Sequence, residues 1–104
     1  MKEQPNHVLE VVIFTVKNDQ VENITDLRKG LYEVIKTLPG WVAFKGYKPI
    51  DDSRVFADLV TWDSYDSAQA AAQVVTSDPR FMPYMSAIED VTFMGHLQPD
   101  VMSH

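Results

Sequence analysis

The sequence predicts an α+β fold in which four antiparallel strands form one sheet and two helices cover one of its faces. Three observations predict it. Apolar β-branched and aromatic runs recur at residues 8–16, 41–50, 54–62 and 87–97. A helical apolar period separates the first run from the second, and an Ala-rich segment separates the third from the fourth. The resulting order of strand, helix, strand, strand, helix, strand is that of ferredoxin-like domains.

Each element has its own signal. "VLEVVIFTV" reads as strand one. Ile24, Leu27, Leu31, Val34, Ile35 and Leu38 share one face at helical spacing, so residues 22–38 are expected to form an amphipathic helix. Gly30 within it is read as a point of close packing on the sheet. Pro39-Gly40 stops this helix. "IDDS" turns residues 41–50 back into residues 54–62 as a hairpin. Asp63 is read as an N-cap with Asp66 three residues on, and the Ala run after it gives a helix thin enough to lie close on the sheet. Asp78-Pro79 opens a second, short helical turn that Pro83 keeps short. Residues 1–6 are a polar tail, and "QPDVMSH" is a tail or an arm that reaches a partner subunit.

Composition narrows the classes of function. At 104 residues the expectation is a single domain with its core within residues 8–97. Nine Lys and Arg against fifteen Asp and Glu give a net charge of -6, which repels phosphate backbones and argues against nucleic acid and anionic membranes as partners. No cysteine is present, so disulfides, thiolate nucleophiles and iron–sulfur ligation are excluded. No apolar run approaches the ~18 residues of a spanning helix. The first ten residues lack the apolar stretch of a signal peptide, so a cytoplasmic location is expected. His7, His96 and His104 lack ligand spacing, and there is no glycine-rich phosphate loop, so neither a metal nor a nucleotide cofactor is expected.

Alternation along the strands sorts the side chains into two faces. Leu9, Val11 and Ile13 oppose Val8, Glu10, Val12 and Phe14. Val55, Ala57, Leu59 and Thr61 oppose Phe56, Asp58, Val60 and Trp62, while Val91, Phe93 and Leu97 oppose Asp90, Thr92, Met94 and His96. A hairpin loop of two or four residues would place Trp41, Lys45 and Tyr47 beside Asp58 and Trp62, and a loop of three would reverse that. The simplest sorting puts the apolar sets under the helices. The other face then joins Glu10, Lys45, Tyr47, Phe56, Asp58, Trp62, Thr92, Met94 and His96, a mixture that suits a pocket enclosed between two sheets of a homodimer.

Asp58 is the focus, because a carboxylate inside an apolar strand is costly to bury unless it is paired. It is read either as a general base and anchor for a substrate hydroxyl or as a structural ion pair with Lys45. Trp62 is read as a stacking wall for a planar ligand or as core, His96 as an acid/base group, a haem ligand or a hydrogen-bonded structural residue, and Glu10 as a second cavity carboxylate or an exposed strand-end residue. Tyr47 and Tyr84 are candidate ligand hydrogen-bonders, and Arg80 is read as a surface residue.

"LPGW", "FADLVTWDS", the Ala-rich helix and "SDPRFMPYM", in that order over residues 8–97, resemble the antibiotic-biosynthesis monooxygenase-like family of the dimeric α+β barrel superfamily. The resemblance implies a homodimer with a small apolar or aromatic ligand in a barrel cavity. Quinone-forming members act on hydroxyarenes with no metal or flavin. Some carry an Asn and a Trp four residues apart on strand three, matched here by Asp58 and Trp62, with Asp in place of Asn. Their next Tyr falls near Ala68, and Arg80 is the candidate for their Arg before the last strand. Haem-degrading relatives need an Asn on strand one, a Trp near Ala71 and a His near Tyr84, none of which is present. The expected function is a cofactor-independent monooxygenase of a small hydroxylated aromatic with Asp58, Trp62 and His96 as catalytic candidates. Its alternative is a non-catalytic dimeric module of the same fold that binds a small ligand or serves as an interaction domain.

Overall fold

A computed structural model describes residues 7–101. Residues 1–6 of the N-terminal tail and residues 102–104 of the C-terminal arm lie outside the described residues. The strands are β1 (Val8–Val16), β2 (Trp41–Tyr47), β3 (Val55–Trp62) and β4 (Ile88–Leu97). The helices are α1 (Ile24–Ile35), α2 (Tyr65–Ser77) and a short α3 (Met82–Ser86). Brief 3-10 turns occupy Asn18–Gln20 and Pro79–Phe81. The sheet is antiparallel in the order β2-β3-β1-β4, which puts β3 and β1 at its centre. No helix among the described residues is long and apolar enough to cross a membrane.

The signals read from the sequence act locally, with three adjustments. The cap of α2 is Ser64, whose hydroxyl accepts from the Ser67 backbone N–H at 3.1 Å, so the Asp63–Asp66 box does not form. Asp63 instead anchors the entry to the helix, its backbone N–H donating to the Gly40 carbonyl at 2.8 Å. Gly40 has a φ of 84°, and a Cβ there would lie 2.3 Å from Ser67 Oγ, so both backbone and space require glycine. Gly30 is exposed with open space around it and is no packing point. Asp78 does cap the turn before α3, accepting from the Arg80 backbone N–H at 2.9 Å.

The helices cover the face that carries Phe14, Val16, Phe56, Val60 and Trp62, which pack with Ile24, Leu31, Ile35, Ala68, Ala71, Phe81 and Tyr84. This reverses the expected assignment. The apolar set of Leu9, Val11, Ile13 and Leu59 lies on the uncovered face, and Asp58 lies beneath the helices. Apolarity alone misassigns the faces, because the covered face tolerates its polar groups by pairing them, as described below. Three irregularities shift the neighbouring strands: Val42 is an extra residue in β2, and Glu89 and Thr92 are extra in β4. Thr92 restarts the alternation of β4, so Phe93 and Leu97 face the same side as Ile13 and Leu9.

Phe14 is fully buried against the Phe56 and Tyr84 rings, with centroids 6.3 and 5.9 Å away. Phe14→Ala should therefore cost about 3–5 kcal/mol in denaturant unfolding. A cost below about 1 kcal/mol would contradict this choice of face.

Candidate functional site

Asp58 sits at the centre of β3 and is 4% exposed. Its partner is not Lys45. The β2–β3 connection spans residues 48–54, an odd number, and the register sets Gly46 opposite Asp58. Lys45 pairs with Leu59 and Tyr47 with Ala57, so both lie exposed on the uncovered face, away from Asp58. The counter-ion comes from α1. Arg28 Nε stands 3.0 Å from Asp58 Oδ1, as an ion pair off the line of a hydrogen bond. The other carboxylate oxygen, Oδ2, accepts a short hydrogen bond from the Tyr84 hydroxyl of α3. Arg28, Asp58 and Tyr84 thus join a helix, a strand and the α3 turn inside the core.

The local sequence explains how Arg28 reaches this position. Residues 24, 28, 31 and 35 fall on one helical stripe, and the other three, Ile24, Leu31 and Ile35, are buried. The sequence signal for this partner is a cation on an otherwise apolar stripe, and strand parity alone overlooks it. The guanidinium lies over the Phe56 ring, 5.5 Å from its centroid, and Nη2 donates to the Tyr47 carbonyl at 3.3 Å. Gly46 leaves room for it, since a Cβ there would stand 2.5 Å from Arg28 Cδ.

The electrostatics follow from burial. Loss of solvent pushes the Asp58 carboxyl above its ordinary value, against the opposing pull of the Tyr84 hydroxyl and the Arg28 charge. Burial raises the Tyr84 phenol as well, reinforced by the adjacent Asp58 charge. Tyr84 therefore stays a hydrogen-bond donor at neutral pH.

A second polar cluster occupies the same covered face toward the start of β1. Trp62 is fully buried, and its Nε1 donates to Glu10 Oε1 at 2.9 Å. His96 lies opposite Glu10 across the β1–β4 ladder, with the Tyr65 ring edge-on to it at 5.3 Å. His96 Nε2 is buried without a hydrogen-bond partner among the described residues. Val8, Tyr65, His96, Leu97 and Gln98 line a cleft of about 350 Å³ there. Phe56 packs in the core, and Met94, across from Val12, is 55% exposed. Arg80 is on the surface, paired with Asp78 at 2.6 Å. The covered face therefore gathers Glu10, Phe56, Asp58, Trp62, Tyr84 and His96, adds Arg28, and leaves out Lys45 and Tyr47. These groups lie between sheet and helices and not, as expected, between two sheets.

Comparison with known proteins places this geometry in a fold. No family model matches the chain, and no curated protein matches it significantly. Solved structures do match. A protein from Bordetella bronchiseptica that carries the name of an antibiotic biosynthesis monooxygenase superposes with a TM-score of 0.80 at 10% identity, covering 92% of this chain and 99% of its own. SnoaB from Streptomyces nogalater, described as a cofactor-independent oxygenase, gives 0.68 at 17% identity, over 95% and 96%. At3g17210 from Arabidopsis thaliana gives 0.75 at 16% identity, over 93% and 99%. At these identities the likeness is one of fold: the chain has the α+β ferredoxin-like fold of the antibiotic biosynthesis monooxygenase structures.

The buried pair can be tested by stability. Asp58→Ala should cost about 3–5 kcal/mol, because it leaves the partly buried Arg28 without its counter-ion, whereas the double variant Asp58→Leu/Arg28→Met should recover most of that loss. Additive losses in urea unfolding would contradict the pairing. The pair also predicts a pH dependence. A folded-state pKa raised above the ordinary 3.8 gives a stabilisation that is complete below that value and is lost as pH rises through the folded value. The stability of the wild type relative to Asp58→Asn should accordingly fall as pH rises past 3.8. A difference that grows with pH would show that the carboxyl is depressed instead.

Proposed function

We propose that this protein is a homodimeric, cofactor-independent monooxygenase acting on a small hydroxylated aromatic. The observation that carries this reading is the buried Arg28–Asp58–Tyr84 cluster, with Trp62 four residues along the same strand face. Stability alone does not call for an ionic cluster at this position. Well-packed apolar residues of similar volume often stabilise a core as well as, or better than, a buried ion pair. Buried titratable groups whose environment shifts their pKa collect at sites of chemistry.

The chemistry asks little beyond these residues. Asp58, with its pKa raised above the ordinary carboxylate value, is suited to take a proton from an acidic hydroxyarene. Arg28 stabilises the resulting anion, and Tyr84 holds the carboxylate in place. The electrons for dioxygen come from the substrate anion. A reacting CH₂ becomes C=O, one oxygen atom entering the product and the other leaving with both hydrogens as water. Trp62 is locked by its bond to Glu10 and serves as a rigid wall.

The uncovered sheet face supports the homodimer. Leu9, Val11, Ile13, Leu59, Phe93 and Leu97 share it, with Phe93 46% and Leu97 52% exposed in a single chain. An apolar sheet face of this kind needs a cover, and a second copy provides one.

A second reading has its own support. Both carboxylate oxygens of Asp58 already have protein partners, as a structural pair in a non-catalytic ligand-binding module would. Dioxygen uptake by metal-free protein given an anthrone-like hydroxyarene separates the two. The oxygenase reading expects uptake that falls by at least about 100-fold in Asp58→Asn, the scale of a lost acid/base group. Absent uptake would favour the binding module, and uptake unchanged in that variant would remove Asp58 from the reaction. Light scattering on the same sample should give twice the chain mass, and a monomer would remove the dimer from the proposal.

A further inference from the structure

The groove between α1 and the outer strand β2 sets beside Arg28 two lysines and two aromatic rings that neither core cluster uses. It has a volume of about 490 Å³, within the usual range of small-ligand sites. Arg28, Lys29, Lys48, Tyr32, Phe44 and Gly46 line it. Three of these are cationic and none is acidic, in a chain whose net charge is -6. Arg28 already has Asp58 as counter-ion. Lys29 and Lys48 are in no ion pair among the described residues.

The wall between these charges is aromatic. The Tyr32 and Phe44 rings stand 5.7 Å apart at 46°, and Trp41 backs Tyr32 edge-on at 5.9 Å. Gly46 leaves the strand bare beneath the guanidinium, so Arg28 bridges the groove and the buried carboxylate. Rings that offer a flat apolar surface select a planar ligand. A guanidinium flanked by two lysines without counter-ions selects an anionic oxygen, and Arg presents a fork suited to a carboxylate.

We propose that this groove binds a planar aromatic anion. Its ring lies against Tyr32 and Phe44, and its carboxylate or phenolate oxygen lies on Arg28, Lys29 and Lys48. The inference deepens the oxygenase reading and rests on it only in taking this ligand to be the substrate. It puts the acidic substituent of the arene on the residue that also holds Asp58.

Isothermal titration calorimetry on the full-length protein tests it, with 2-naphthoate as the probe and 2-naphthalenemethanol as its neutral counterpart. The naphthoate should bind at least about tenfold more tightly than the alcohol, and added salt should weaken it. Lys29→Gln/Lys48→Gln should weaken naphthoate binding roughly fivefold with no change in melting temperature, since both side chains are exposed. Equal affinity for acid and alcohol, no binding of either, or full affinity in the double variant would each overturn the groove assignment. Dioxygen uptake is scored separately. Naphthoate binding that depends on the lysines, without turnover of any hydroxyarene, sinks the oxygenase reading and leaves the groove standing. Turnover that is indifferent to the two lysines sinks the groove alone.

Discussion

The burial of one carboxylate constrains the rest of this structure. Asp58 lies at the middle of a central strand, where an unpaired charge would be far too costly for a small domain to hold. Arg28 and Tyr84 remove most of that cost, and in doing so they fix how α1 and α3 seat on the sheet. Arg28 in turn needs acceptors, and the backbone of β2 and β3 supplies them at Tyr47 and Ala57. It needs space as well, and Gly46 opposite Asp58 provides it. A helix, two strands and a turn are thereby tied to one another through a single polar contact inside an apolar shell of Phe14, Phe56 and Val60.

The element order is legible in the sequence because each signal for it is local. The stripe of α1, the Ala-rich run of α2, Asp78-Pro79 and the β-branched strands all fall where periodicity and turn chemistry put them. The faces of the sheet are not legible, for a different reason. Parity tells which side chains share a face but not which face the helices cover. Apolarity points to Leu9, Val11 and Ile13 as the covered set, and it points the wrong way. What decides is whether Asp58 and Glu10 have partners, and those partners are far away in sequence: Arg28, Tyr84 and Trp62. One clue is present in the chain. Arg28 interrupts the apolar stripe of Ile24, Leu31 and Ile35, and a cation on such a stripe, facing the core, calls for an anion beneath it. Bulges at Val42, Glu89 and Thr92 also shift the registers of the flanking strands, which no strict alternation anticipates.

The corrected faces sharpen the functional picture. The polar groups do not line a space between two sheets; they sit within one chain, under its own helices. That leaves the uncovered face rich in apolar side chains, a better surface for a second copy than a mixed one would be. It also separates the covered face into two ends. One end holds Arg28 and Asp58 beside a cationic, aromatic groove. The other holds Glu10, Trp62, His96 and Tyr65 beside a smaller cleft. Trp62 is fully buried, bonded to Glu10, and lies four residues along β3 from Asp58.

The central claim is that the working site lies between the sheet and the helices, around Arg28 and Asp58. Its most direct test is heteronuclear NMR of labelled protein titrated with a hydroxyarene in the absence of oxygen. The largest shifts are expected on the Arg28 Nε–H and on the residues around it, Tyr32, Phe44 and Gly46. Shifts centred instead on Val11, Leu59 and Phe93 of the uncovered face would contradict that claim and return the ligand to the space between two sheets.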